Sequence, residues 1–164
     1  RLRVPGGPGE LPMKVALQLN GRPVELECTP DEMLLAVLRR EGLGSVRETC
    51  GIGVCGACTV LLDGEPVSGC LTLAPLAAGR EVTTAEGLAG SHPVQRAFVE
   101  AHAYQCGWCT PGFVLTATAL LAENPDPDEA AIREAFGGNL CRCGSYVKII
   151  DAVRRAATEL AGQR

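Results

Sequence analysis

Cysteine is the residue whose numbers and spacing in this chain could do chemistry. Nine of the 164 residues are cysteine, about 5%, which is below the density of a disulfide scaffold. Eight of them fall into two sets: Cys50, Cys55, Cys58 and Cys70, then Cys106, Cys109, Cys141 and Cys143. An odd total, tight local spacings and no secretory signal argue against a disulfide framework. Groups of four thiols point instead to metal.

The first set has the form Cys50-x4-Cys55-x2-Cys58 with Cys70 further on, the plant-type arrangement for a [2Fe–2S] cluster. Three ligands from one tight loop must point inward together around a compact anionic core. Gly51, Gly53 and Gly56 lie between them. Glycine permits positive φ and lets backbone N–H groups approach the sulfurs, which stabilises the reduced, more negative state. Zinc is the competing reading, but structural zinc sites usually pair two short C-x2-C knuckles. One departure from plant ferredoxins is that Cys70 follows Cys58 after only eleven residues.

The second set, Cys106-x2-Cys109 with Cys141-x-Cys143, is by itself ambiguous between zinc, iron–sulfur and a redox dithiol. Its placement is more informative. Cys109 precedes Thr110-Pro111, a good cap and first helical residue, and Cys143 precedes Gly144-Ser145-Tyr146. Each pair is therefore expected at a helix N-terminus, where free N–H groups and the positive dipole end favour an anion.

The elements that must position these residues change character along the chain. Val15, Leu17 and Leu19, then Asn20-Gly21, then Val24 and Leu26 predict a β-hairpin. Thr29-Pro30-Asp31-Glu32 reads as a capping box opening a helix with Met33, Leu34, Val37 and Leu38 on its stripe, ending near Gly42. Strands are predicted over Thr59–Leu62, Val67–Leu73 and Glu81–Thr84, the first two joined through Asp63-Gly64. From about Ser91 the pattern turns helical. Pro93–Ala103 comes first, then Pro111–Ala122, apolar on nearly every face and hence buried. A third helix starts at Asp126-Pro127-Asp128-Glu129. The fourth, Tyr146–Leu160, has Val147, Ile149, Ile150, Val153, Ala157 and Leu160 on its inner face. The fold class is α+β, with a flexible arm at 1–12, a sheet domain at 13–88 and a helical domain at 89–164. The buried second helix predicts that the second site is better shielded from water than the first.

Composition excludes other classes. A net charge of −4 and a pI near 5.2 leave no electrostatic footprint for nucleic acid or an anionic membrane. No apolar run reaches the roughly 18 residues of a membrane span, and residues 1–12 lack the core of a secretory signal. A cytoplasmic location is expected. Cys28, outside both sets, reads as an inert core cysteine, and His92 and His102 as surface or helix-end residues. Trp108 and Arg142 sit inside the second set: for Trp108 packing over the site and partner contact are both open readings, and for Arg142 offset of cluster charge and ion pairing on the surface.

Gln105-Cys106-Gly107-Trp108-Cys109-Thr110-Pro111-Gly112 and Gly138-Asn139-Leu140-Cys141-Arg142-Cys143-Gly144-Ser145-Tyr146 resemble the iron–sulfur small subunit of the molybdenum hydroxylases, the family of xanthine oxidase and carbon monoxide dehydrogenase. The short Cys58–Cys70 spacing is similar too, and the resemblance spans about residues 13–160. Ser145 stands close to where many members carry a Thr-Gly-Tyr sequence, which touches no ligand. The resemblance implies a β-grasp ferredoxin-like domain followed by a four-helix bundle, each holding one [2Fe–2S] cluster. It also implies a large molybdopterin-binding catalytic subunit, a medium FAD-binding subunit and a dimer of heterotrimers. Gln105 and Cys143 match the positions that approach the pterin. The implied role is relay of single electrons from the molybdenum centre to FAD, with no catalytic residue in this chain and the substrate chosen by the large subunit. Two other functions compete with it: a free-standing iron–sulfur redox sensor and a zinc-stabilised interaction module.

Overall fold

The computed structural model describes residues 12–163, so the arm expected at 1–12 lies outside the described residues except for Pro12. Strands β1 (Met13–Leu19) and β2 (Arg22–Cys28) form the expected hairpin, with Val15 opposite Leu26 and Leu17 opposite Val24. Asn20 and Gly21 both take positive φ, 52° and 74°, as a two-residue turn between twisted strands requires. Asn20 also receives the Thr84 N–H at 2.8 Å, tying the hairpin to the segment that leaves the sheet.

Strands β3 (Thr59–Leu62), β4 (Glu65–Ser68) and β5 (Glu81–Thr83) complete a five-stranded sheet in the order β2-β1-β5-β3-β4. Among the described residues only the β1–β5 pair is parallel. Helix α1 (Leu34–Arg40) supplies Leu34, Leu35, Val37 and Leu38 to a core with Val15, Leu17, Leu26, Val60, Leu62 and Val82. All of β3 is buried because its second face is covered by α3 (Thr110–Glu123), which packs on β3 and β4.

Two expectations about this half are corrected. Helix α1 begins at Leu34 and not at Pro30. Glu32 does receive the Thr29 N–H at 3.3 Å, but Met33 is extended and bridges to Leu73, which separates that turn from the helix. The strand expected over Val67–Leu73 stops at Ser68. Beyond it the chain turns to meet the start of α1, where Leu34 N–H donates to Thr72 O (2.7 Å) and Leu35 N–H to Gly69 O (2.9 Å). The free donors of the helix N-terminus thus hold the segment that carries Cys70.

The second half contains α2 (Pro93–Glu100), α3, α4 (Glu129–Ala135) and α5 (Tyr146–Gly162). Helix α2 stops short of the expected Ala103. Asp128 caps α4, receiving the Ala131 N–H at 2.8 Å. These four helices share a second core built on Phe98, Phe113, Ile132, Phe136, Ile149 and Val153. Phe113 meets the edge of Phe136 at 4.9 Å and of Tyr146 at 6.1 Å between ring centroids. Helix α3 is apolar nearly all round because it lies between the sheet and the other helices. Val147, expected inside, is 78% exposed, since it falls about 200° round the helix from Ile149. Leu160 is only partly buried against this core.

Candidate iron–sulfur sites

The first four cysteines converge where the loop 50–58, the start of β3 and the turn after β4 meet. Gly51, Gly53 and Gly56 take φ of 69°, 74° and 66°, as the sequence predicts. This curl aims N–H groups at Cys50. The Ile52 N–H is the strongest influence, followed by the Cys55 thiol and the N–H groups of Cys55 and Val54, and together they lower Cys50 to about 6. Cys58 has the opposite environment. Burial is the main cause that pushes it up to about 11, and the Cys70 thiol lies against it. Gly69 N–H donates to Cys58 O at 3.2 Å, which fixes the turn carrying Cys70.

The second four are gathered by the starts of α3 and α5. Cys109 itself, not Thr110, occupies the cap position of α3, and Thr110 Oγ1 is buried without a hydrogen-bond partner among the described residues. Burial first, then the Cys141 thiol, pushes Cys109 up to about 12. Cys141 is raised by burial, but the Ser145 N–H and the Cys109 thiol outweigh this and leave it lowered. The Ser145 N–H reaches Cys141 Sγ at 3.4 Å, and the Cys141 N–H donates to Tyr146 Oη at 2.8 Å. Cys106 is lowered by the Trp108 N–H and next by the Cys143 thiol.

The thiols influence one another most strongly as Cys50 with Cys55, Cys58 with Cys70, Cys106 with Cys143 and Cys109 with Cys141, and more weakly across these pairs, Cys55 on Cys58, Cys141 on Cys106 and Cys106 on Cys109. Among the described residues no three Cys, His, Asp or Glu side chains close around the position of a single ion. In each set a deeper pair lies behind a more open one. Cys58, Cys70 and Cys141 are buried, while Cys106 is exposed. The expectation that the second set is the better shielded one is thus not met within the chain. Helix α3 is buried, but the loop before it reaches the surface. Gln105 lies there as well, exposed, with Nε2–H donating to Cys143 O at 2.8 Å.

The two sets adjoin. Leu140 N–H donates to Cys55 O at 3.0 Å, linking the residue before Cys141 to a residue of the first set. Asn139, 5% exposed, bonds Thr116 at 3.1 Å and reaches Gly56 O at 3.5 Å. Gly112 of α3 lies so close that an added Cβ would strike Gly56 O. Sequence reasoning missed these cross-links, because spacing along the chain carries no sign of contact between positions so far apart in the sequence. Asn139 lies in the second motif, but nothing in the sequence marks its side chain as a bridge. The residues read as bland behave so. Cys28 is 3% exposed with its thiol raised mainly by burial, His92 caps α2 by receiving the Val94 N–H, and His102 is exposed just beyond that helix.

The chain is similar to known iron–sulfur proteins over both halves. The chain matches the 2Fe-2S iron-sulfur cluster binding domain family over residues 17–89 and the [2Fe-2S] binding domain family over residues 84–154. It is 47% identical to the nicotinate dehydrogenase small FeS subunit of Eubacterium barkeri, over 90% of this chain and 96% of that one. It is 44% identical to the xanthine dehydrogenase iron-sulfur-binding subunit of Escherichia coli O157:H7, over 82% and 88% of the two chains. Among solved structures, quinoline 2-oxidoreductase from Pseudomonas putida 86 superposes with a TM-score of 0.87 at 42% identity, covering 93% of this chain and 97% of that chain. The chain belongs to the family of iron–sulfur small subunits of the molybdenum hydroxylases.

Proposed function

We propose that the chain is the non-catalytic electron-transfer subunit of a molybdenum hydroxylase complex, relaying single electrons from a molybdopterin centre to FAD. In this reading Cys50, Cys55, Cys58 and Cys70 hold one [2Fe–2S] cluster, and Cys106, Cys109, Cys141 and Cys143 hold the other. The matched 2Fe-2S domain families support two-iron cores, in which each iron takes two thiols, over a zinc ion that needs four donors about one point. When bound, such clusters supply one-electron carriers. The donors fit the charge as well. N–H groups face Cys50 and Cys141, and thiols raised as far as Cys58 and Cys109 would give up their protons to solvent when a strong positive charge such as iron binds the thiolate.

The observation that carries the relay reading is the Leu140–Cys55 hydrogen bond, a short bridge of backbone between the two sets. The chain's residues hold the sites, aim N–H groups at sulfur and keep the deeper pairs dry. The sheet with α1 is read as a β-grasp ferredoxin-like domain, 13–88, and the four helices as a bundle, 89–164. The separate cores of the two halves support that boundary. The partners are a large subunit holding molybdopterin and a medium one holding FAD, in a dimer of heterotrimers. No helix among the described residues is long and apolar enough to cross a membrane, and thiol ligation suits the reducing cytoplasm.

Gln105 and Cys143 form the face turned to the pterin, which Gln105→Glu tests. The amide donates to Cys143 O, whereas an ionised carboxylate can only accept and would oppose that carbonyl. We expect full cluster content with slower bleaching of the clusters when substrate reduces the assembled complex. Wild-type bleaching rates at wild-type molybdenum content would remove Gln105 from the interface.

A further inference from the structure

Trp108 is the chain's single tryptophan, 50% exposed and yet engaged by the other half of the molecule. Its Nε1–H donates to Thr49 Oγ1 at 2.9 Å. The Arg47 guanidinium lies 4.9 Å from the ring centroid, a cation–π distance, and also donates to Gly107 O. Gly107 and Trp108 are the two residues between Cys106 and Cys109, and Thr49 directly precedes Cys50. Arg47 is itself anchored, its N–H donating to Ala57 O at 3.1 Å, just before Cys58.

This contact is independent of the Leu140–Cys55 bond and engages the first loop at its other end. The contacts at Cys55 and Gly56 hold one end of the loop, and a loop held at one end can turn about it. Attached at residue 49 as well as at residue 55, it has its orientation fixed. A planar ring with two rotatable bonds loses little freedom in serving as such a strut. We propose that Trp108, gripped by Arg47 and Thr49, is a positioning residue that sets the distance and orientation between the two cysteine sets. The proposal rests on the reading that both sets carry clusters, and it assigns a task to a side chain that ligates nothing.

The test uses the full chain, cluster-loaded and chemically reduced, with low-temperature EPR reading the magnetic splitting between the two centres. That splitting depends steeply on their separation and orientation. Trp108→Leu should lose most of it, and Trp108→Phe, which keeps the ring over Arg47 but lacks the N–H, should lose part. Thr49→Val should reproduce Trp108→Phe, and in Thr49→Val and Arg47→Met the tryptophan emission should shift to the red. A purely structural role would lower loading or melting temperature and leave the splitting of each loaded chain intact. Wild-type splitting in fully loaded Thr49→Val and Arg47→Met chains overturns the proposal, and these two variants decide it even if Trp108→Leu fails to load. A wild-type chain lacking the iron and sulfide of two clusters would instead defeat the proposed function, a result that metal analysis gives before any variant is compared.

Discussion

The two cysteine sets reach similar ends by different construction. The first is made by one glycine-rich loop, with a single distant ligand delivered by the turn that meets α1. The second has no such loop, and the starts of two helices bring its four thiols together. In both, a deeper pair stands behind a more open one, and in both a thiol lowered by N–H groups is matched by one raised by burial. Curled backbone and helix N-termini are thus alternative ways of presenting N–H groups to sulfur.

The sharpest way to break the comparison is at the glycines. An added Cβ at Gly56 would press on Asn139 Nδ2 and Gly138 O, whereas one at Gly51 meets nothing within 4 Å. Both have positive φ, so a left-handed alanine costs about 1–2 kcal/mol at either position. Gly56→Ala adds overpacking of about 1–3 kcal/mol and pushes the two sets apart. Denaturant unfolding should show Gly51→Ala only mildly destabilised and Gly56→Ala more strongly, by about 1–3 kcal/mol, with iron lost from both sites. Equal effects would mean that the loops are not locked together there.

The same contrast explains what could be read from the sequence. The first set was legible because its spacing is local: three ligands and three glycines lie within residues 50–58, each with its own backbone requirement. The second was ambiguous from spacing and needed the resemblance, because its pairs are joined only by the packing of α3 against α5. Errors fell where tertiary contacts overrode local propensity. Met33 is extended because it bridges to Leu73, and the chain after Ser68 serves the N-terminus of α1. Cys106 is exposed because a buried helix can still begin at the surface. The exposure of Val147 was legible in helical periodicity, since it lies off the stripe through Ile149 and Val153.

A smaller effect should separate the two sites. Tyr146→Phe removes the hydroxyl that receives the Cys141 N–H and leaves that donor unpaired, at a cost of about 1–2 kcal/mol. Only the second centre's spectrum should change. A change in the first would show the coupling to be wider than the loop contacts.

Smallest of all is an ordering of thiol reactivity in the cluster-free chain at neutral pH. Cys50, lowered to about 6, is largely thiolate there and should alkylate well ahead of Cys58 and Cys109. Its rate should fall as the pH drops through 6, about tenfold per unit below it. Cys58 and Cys109, pushed up to about 11 and about 12, remain protonated and should alkylate last, as mass spectrometry of timed digests would read. Cys58 reacting before Cys50 would reverse the assignment of deep and open pairs.

The central claim is that the chain carries two separate [2Fe–2S] sites, one for each set. Low-temperature EPR of the reduced protein tests it most directly, read in wild type, Cys55→Ser and Cys106→Ser. Wild type should give two distinct S = 1/2 signals. Cys55→Ser should alter only one of them and Cys106→Ser only the other. A single signal integrating to one spin per chain, or the same signal altered by both substitutions, would contradict it.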